Sequence, residues 1–250
     1  MTLSAITFDI WDTIVVDNSD EPKRAKQGLR TKEEERRHLL WEALNRQAPI
    51  DRTTFDVAYR MQDVLFRQIW YNEKITLKVR DRLKIMLEGL DRRLPTDELN
   101  HLIDVYETME LQISPDLIEG AAELITELAG RYKLCIISDA IYTPGNRLRE
   151  LLDHLNVGKF FSGFVFSDEV ERAKPHPDCF IDAARQLSTD FSEMVHIGDR
   201  DAKDVVGAQA MGMKAILFTG SRDEGTRDTT KADGIAGSYP ELADIIRSLD

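Results

Sequence analysis

Residues 4–9, Ser-Ala-Ile-Thr-Phe-Asp, form a short apolar run closed by a carboxylate. The run reads as a buried strand that delivers Asp9 to its carboxyl end. A polar stretch follows to about residue 30 and reads as a loop. From Thr31 to about Leu111 the apolar period becomes helical, with breaks near Pro49, Ile75-Thr76 and Pro95-Thr96, so four helices are expected. Beyond about residue 114, short apolar runs alternate with helical segments. The candidate strands are 134–138, 164–166, 195–199, 215–218 and a short one near Gly234. This alternation predicts βα units on a parallel sheet. The expected fold is α/β, a doubly wound, Rossmann-like core made of residues 1–16 and 112–250, with a helical cap, residues 17–111, inserted after the first strand.

Local signals support that parsing. Thr143-Pro144 suits a helix cap and first turn, and Ser238-Tyr-Pro-Glu241 has capping-box spacing before a helix expected to reach about Leu249. Phe55, Tyr59, Gln62, Phe66 and Trp70 recur at helical spacing. Such a stripe reads as core packing before it reads as a ligand box, because an amphipathic helix must bury one face. The stretch Thr219 to Asp233, rich in Gly, Ser, Thr and charge, reads as a surface loop.

Composition narrows the function classes. The 250 residues are 42% hydrophobic and 31% charged, and no apolar run is long enough to span a bilayer. Met1 to Ala5 runs into the first strand without a basic region or an apolar signal core, so a cytoplasmic location is expected. Cys135 and Cys179 show no metal-binding spacing and are expected to be free thiols. A formal net charge of −12 argues against generic binding to nucleic acid or anionic membrane. A small anionic substrate stays compatible with that charge, since one metal ion reverses the local field of an acidic site. The oligomeric state is not readable.

Four marks occur in order: Phe-Asp9-Ile-Trp-Asp-Thr13 after the first strand, Ser138-Asp139 after a later one, Lys174-Pro175, and Gly198-Asp199-Arg-Asp-Ala-Lys-Asp204. Alone, each is weak: Asp9 and Ser138 would read as turn or cap residues and Lys174 as a solvated surface charge. Together, at strand ends or adjacent loops, they resemble the haloacid dehalogenase superfamily. The resemblance covers about residues 3–15 and 114–245, and the helical insert resembles that superfamily's cap. It implies Asp9 as a nucleophile that forms an aspartyl intermediate, Ser138 as a hydroxyl binding phosphoryl oxygens, and Lys174 as the cation beside the nucleophile. It implies Mg2+ held by Asp9, the backbone carbonyl of Trp11 and Asp199, with Asp204 supporting the site through hydrogen bonds or water. Asp201 is a further acidic neighbour of that site in the sequence. Thr13 is expected to hold the turn, and Trp11, Asp12 and Asp139 to border the substrate.

One position departs from the pattern. The superfamily's phosphatases place an acid two residues after the nucleophile, and here that residue is Trp11; Asp12 follows, where glycine is usual. General acid catalysis contributes roughly 10² to 10⁴ in rate, so the change bears on the reaction. Three readings follow. The first is a magnesium-dependent phosphatase acting on a small phosphorylated metabolite with a good leaving group, or using Asp12 or the substrate as acid. The second is a haloacid dehalogenase, which carries an aromatic residue here, or a phosphonate hydrolase, which needs a cap lysine such as Lys23, Lys26, Lys32, Lys74 or Lys78. The third is a binding relative that has lost turnover.

Overall fold

Every residue of β1 (Ala5–Phe8) is buried, because the strand lies inside a sheet covered on both faces. The computed structural model describes residues 2–250. The sheet adds β2 (Lys133–Ser138), β3 (Gly163–Phe166), β4 (Met194–Gly198), β5 (Lys214–Phe218) and β6 (Gly234–Ala236). All neighbours pair in parallel, in the order β3-β2-β1-β4-β5-β6. This is the doubly wound order expected from the alternating pattern. The chain winds outward from β1 in one direction and then resumes at β4 in the other, which leaves a crevice between the carboxyl ends of β1 and β4. Asp9 and Asp199 are the residues that follow those two strands.

Strand alternation divides the core in two. Ile6 and Phe8 join one apolar cluster with α6 (Ala121–Ala129), α7 (Gly145–His154) and α10 (Tyr239–Leu249). Ala5 joins a second with α8 (Pro177–Leu187) and α9 (Val206–Ala210). Burial on both faces explains why the strands read as continuous apolar runs.

Between β1 and α6 the chain forms α1 (Glu21–Lys26), α2 (Lys32–Gln47), α3 (Arg52–Gln68), α4 (Val79–Gly89) and α5 (Thr96–Gln112). A capping box starts α2: Thr31 Oγ1 accepts from the Glu34 N–H, and Glu34 Oε2 accepts from the Thr31 N–H. Leu40, Leu44, Phe55, Tyr59, Leu83, Met86, Leu102 and Tyr106 give this helical insert its own apolar core.

Three local expectations are corrected. The polar stretch to residue 30 contains α1, because Asp20 is buried against Lys32 at 2.8 Å and Arg24 Nε donates to Arg30 O at 3.0 Å. Buried polar pairing organises a segment that has no apolar period. Thr143 does not cap α7; its hydroxyl donates to Glu110 Oε2 at 2.6 Å, tying core to insert, and Pro144 takes the cap position. The aromatic stripe is buried but divided. Phe55 and Tyr59 pack inside the insert, whereas Phe66 and Trp70 pack on Ala173 of the α/β core with Leu77 and Ile141. A π-helical turn, Ile69–Glu73, extends α3, carries Trp70, and ends at Lys74 in the left-handed region (φ 55). Ser238 caps α10 as expected, accepting from the Glu241 N–H.

Candidate active site

The carboxyl ends of β1, β2 and β4 and the loop after β3 surround one cavity, with about 40 Å3 of open space. Asp9 follows β1, its N–H bonded to Ile197 O of β4 at 2.9 Å. Ser138 ends β2, and Lys174 sits in the loop after β3 beside fully buried Ala173. Gly198 ends β4, where a Cβ would stand 2.2 Å from Asp204 Cγ, so only glycine lets the loop fold back on that carboxylate.

Lys174 and Asp204 form the centre of this arrangement. Lys174 Nζ lies 2.6 Å from Asp204 Oδ1 and 3.0 Å from Asp9 Oδ1, and it is 2% exposed. His196 Nε2 reaches the same Asp204 oxygen at 3.1 Å, while Nδ1 meets Thr7 Oγ1 at 2.8 Å. Burial pushes the His196 pKa down, against the pull of Asp204. A carboxylate only accepts, hence Nε2 carries a proton toward Asp204. The Arg200 N–H fills Asp204 Oδ2 at 2.9 Å. Although burial opposes it, the Lys174 ammonium and His196 hold the Asp204 carboxyl far below the usual carboxylate range. Both Asp204 oxygens are thus occupied by protein donors, which suits a supporting role and leaves little of this carboxylate for direct metal ligation.

Asp199 has the opposite environment. It is 3% exposed, yet its nearest cations, Arg200 Nε and Arg222 Nε, stand 3.9 Å away. Burial first, then the charges of Asp9 and Asp204, push its pKa up to about 8. Burial also raises the Asp9 pKa, against the pull of Lys174, and Asp9 Oδ1 meets no donor in hydrogen-bond alignment. Ligand oxygens of Asp9, Asp199 and Asp204 lie within 4.8 Å of one another. Of the three, Asp9 and Asp199 are buried hard oxygen donors short of close hydrogen-bond partners, and such donors fit Mg2+.

Trp11 and Asp12 also line the cavity. Asp12 adopts φ 53 in a turn closed by its N–H to Val15 O at 2.7 Å; aspartate tolerates the left-handed region that glycine would occupy freely. Its Oδ1 accepts from Ser221 Oγ at 2.6 Å and from the Asp17 N–H at 3.2 Å. Ser138 Oγ and Thr13 Oγ1 are buried without hydrogen-bond partners. Thr13 holds its turn through the backbone instead, its carbonyl accepting from Tyr239 Oη at 2.6 Å. Asp139 borders the cavity with both oxygens engaged: Oδ1 accepts from the Lys174 N–H at 3.0 Å and Oδ2 pairs with Lys203 Nζ at 2.7 Å. Asp201 is turned away from the cluster, bonded to Thr230 Oγ1.

Sequence reading missed His196, Arg200, Lys203, Trp70 and Ser221. Arg200 and Lys203 fall inside the quoted loop, and His196 alternates with Ile197 in a strand; a polar residue within a doubly buried strand was the available signal. Trp70 belonged to the aromatic stripe that was read as core packing, although it also lines the cavity; Ser221 carried no signal, because its bond to Asp12 joins residues 209 positions apart.

Relatives agree with this architecture. A glyceraldehyde 3-phosphate phosphatase of Methanopyrus kandleri is 35% identical over 103 residues, 40% of this chain and 44% of that protein. A phosphoglycolate phosphatase of Neisseria meningitidis is 32% identical over 109 residues, 41% of this chain and 46% of that protein. The matches therefore span about half the length of these relatives. In the fold, a 2-haloacid dehalogenase of Pseudomonas syringae superposes with a TM-score of 0.72 at 18% identity, covering 100% of both chains. A phosphatase of Thermococcus onnurineus superposes at 0.64 with 20% identity, covering 98% of both. The family model of haloacid dehalogenase-like hydrolases matches residues 3–212, and with the order of motifs and the doubly wound core it establishes that the chain belongs to that family of hydrolases.

Proposed function

We propose that this hydrolase is a magnesium-dependent phosphatase of small phosphorylated metabolites, with the helical insert acting as a cap. The observation that carries the reading is the buried Asp199 carboxylate, with no cation closer than 3.9 Å, beside Asp9. Asp9, Asp199 and the Trp11 carbonyl would hold Mg2+, with Asp204 fixing the loop. When bound, the ion supplies charge neutralisation and Lewis acidity at a phosphoryl oxygen. Asp9 attacks phosphorus, the bond to the leaving oxygen breaks with its electron pair, and water later opens the aspartyl phosphate. Lys174 balances charge at Asp9, and the unpartnered Ser138 hydroxyl is available to a phosphoryl oxygen. Trp11 offers no carboxyl, so leaving groups that need little protonation are favoured.

Trp11 also supports a second reading, a dehalogenase acting on carbon. An ion at Asp199 would draw charge from its nucleophile, which weighs against it. Against the phosphonate route, none of Lys23, Lys26, Lys32, Lys74 and Lys78 lines the cavity; Lys23 pairs with Asp116 at 2.7 Å and Lys32 with Asp20 at 2.8 Å, and the lysines that do line it, Lys174 and Lys203, belong to the core.

The test compares acetyl phosphate, an aryl phosphate, a phosphonate and a 2-haloacid, each with Mg2+ and with chelator. Magnesium-dependent phosphate release that disappears in Asp9→Asn, with an unchanged circular dichroism spectrum, is expected. Chelator-resistant halide release would establish the dehalogenase instead, and full activity of Asp9→Asn would remove the nucleophile assignment.

A further inference from the structure

The insert reaches the Lys174 loop through a continuous set of contacts. Lys203 Nζ lies 3.1 Å from the centroid of the Trp70 ring and 2.7 Å from Asp139 Oδ2. The other oxygen of Asp139 accepts the Lys174 backbone N–H at 3.0 Å, and Lys174 Nζ stands 3.0 Å from Asp9 Oδ1. Trp70, Lys203 and Asp139 are each at most 8% exposed. Next to this line, the Ala173 N–H donates to Lys74 O at 2.7 Å, so the same turn of the insert also grips the residue before Lys174.

We infer that Trp70 and Lys203 are positioning residues, through which docking of the insert fixes Asp139 and thereby sets the Lys174 loop against Asp9. The physical reason is desolvation. A cation over an indole face contributes about 0.5–1 kcal/mol when exposed and about 2 or more when dry. The Lys203–Asp139 pair strengthens in the same way as water leaves. With Trp70 seated, Lys203 is confined to one position and Asp139 becomes a fixed acceptor for the Lys174 amide. With Trp70 withdrawn, the ammonium is hydrated and the pair loosens. Trp70 thus acts on Asp9 without needing to touch a substrate. The catalytic consequence rests on Asp9 being the nucleophile; the contacts themselves do not.

Two variants of the full chain test this: Lys203→Met, which keeps the stem and removes the charge, and Trp70→Leu, which keeps an apolar side chain. One readout is hydrogen exchange at the Lys174 amide, followed by NMR. The second is binding of beryllofluoride with Mg2+, a phosphoryl mimic with no leaving group to reach Trp70. Exchange about tenfold faster and binding about tenfold weaker are expected in both variants, with Lys203→Arg restoring both. Unchanged Lys174 protection in Lys203→Met and Trp70→Leu overturns the inference. If the unaltered protein takes up no beryllofluoride, the phosphatase reading fails while the exchange measurement still decides the positioning role.

Discussion

Asp199, directly after β4, and Asp204, in the π-helical turn Asp201–Val205, stand five residues apart and face opposite surroundings. Asp204 is saturated by Lys174, His196 and the Arg200 N–H, and it stays ionised far below the usual range. Asp199 is nearly as buried, has only distant arginines, and is pushed up to about 8. Burial alone raises a carboxyl pKa; partners decide whether the charge survives. The motif therefore carries one carboxylate filled by protein donors and one without a close partner.

The largest expected effect separates them by chemistry. Asp199→Asn should keep the fold and lower magnesium-dependent turnover by about 10³-fold, the equivalent of several kcal/mol of lost charge stabilisation. Steady-state phosphate release over a magnesium titration measures this, and turnover within tenfold of the parent would break the contrast.

A smaller effect separates them by stability. Removing one partner of a buried ion pair destabilises by about 3–5 kcal/mol, so Asp204→Ala should unfold at much lower urea while Asp199→Ala, measured without metal, should not. Equal urea midpoints would show that the two carboxylates do the same structural work.

The smallest effect is in pH. Without metal, Asp199 in the folded chain holds its proton up to about 8, against an ordinary value of 3.8. Between those values the unfolded chain binds fewer protons, so this group makes stability fall as pH rises. Lowered His196 acts in the opposite sense near its ordinary value of 6.5, so a variant is needed to isolate Asp199. Mg2+ displaces protons from raised carboxyls, and the gain in Tm on adding it should grow from pH 5 to pH 8 more steeply in the parent than in Asp199→Asn, where Asp9 alone remains raised. An equal slope in both would mean that Asp199 is not where the ion acts.

The distinction between the two carboxylates was only partly legible beforehand. Lys174 and the Asp199–Asp204 motif were read through the resemblance that the ordered motifs bear to a known family, whereas Asp9 and Ser138 each close an apolar run, and the strand period is a local property of neighbouring residues. The same is true of the parallel α/β core and the helical insert. Segments without an apolar period were harder: α1 exists through the buried Asp20–Lys32 pair, and Thr143 was drawn from its expected cap to Glu110.

The sequence by itself determined which residues sit at the strand ends and which side chains are available there, since alternation and helical spacing are written along the chain. Tertiary structure alone decided that Asp204 is filled, that Asp199 is left short of partners, and that Trp70 of the insert lies on Lys203. Charge interactions act over a few ångströms of space, and the groups concerned are up to 195 positions apart, as in Asp9 and Asp204. No local period encodes such neighbours; they exist once the sheet order has brought β1 and β4 side by side.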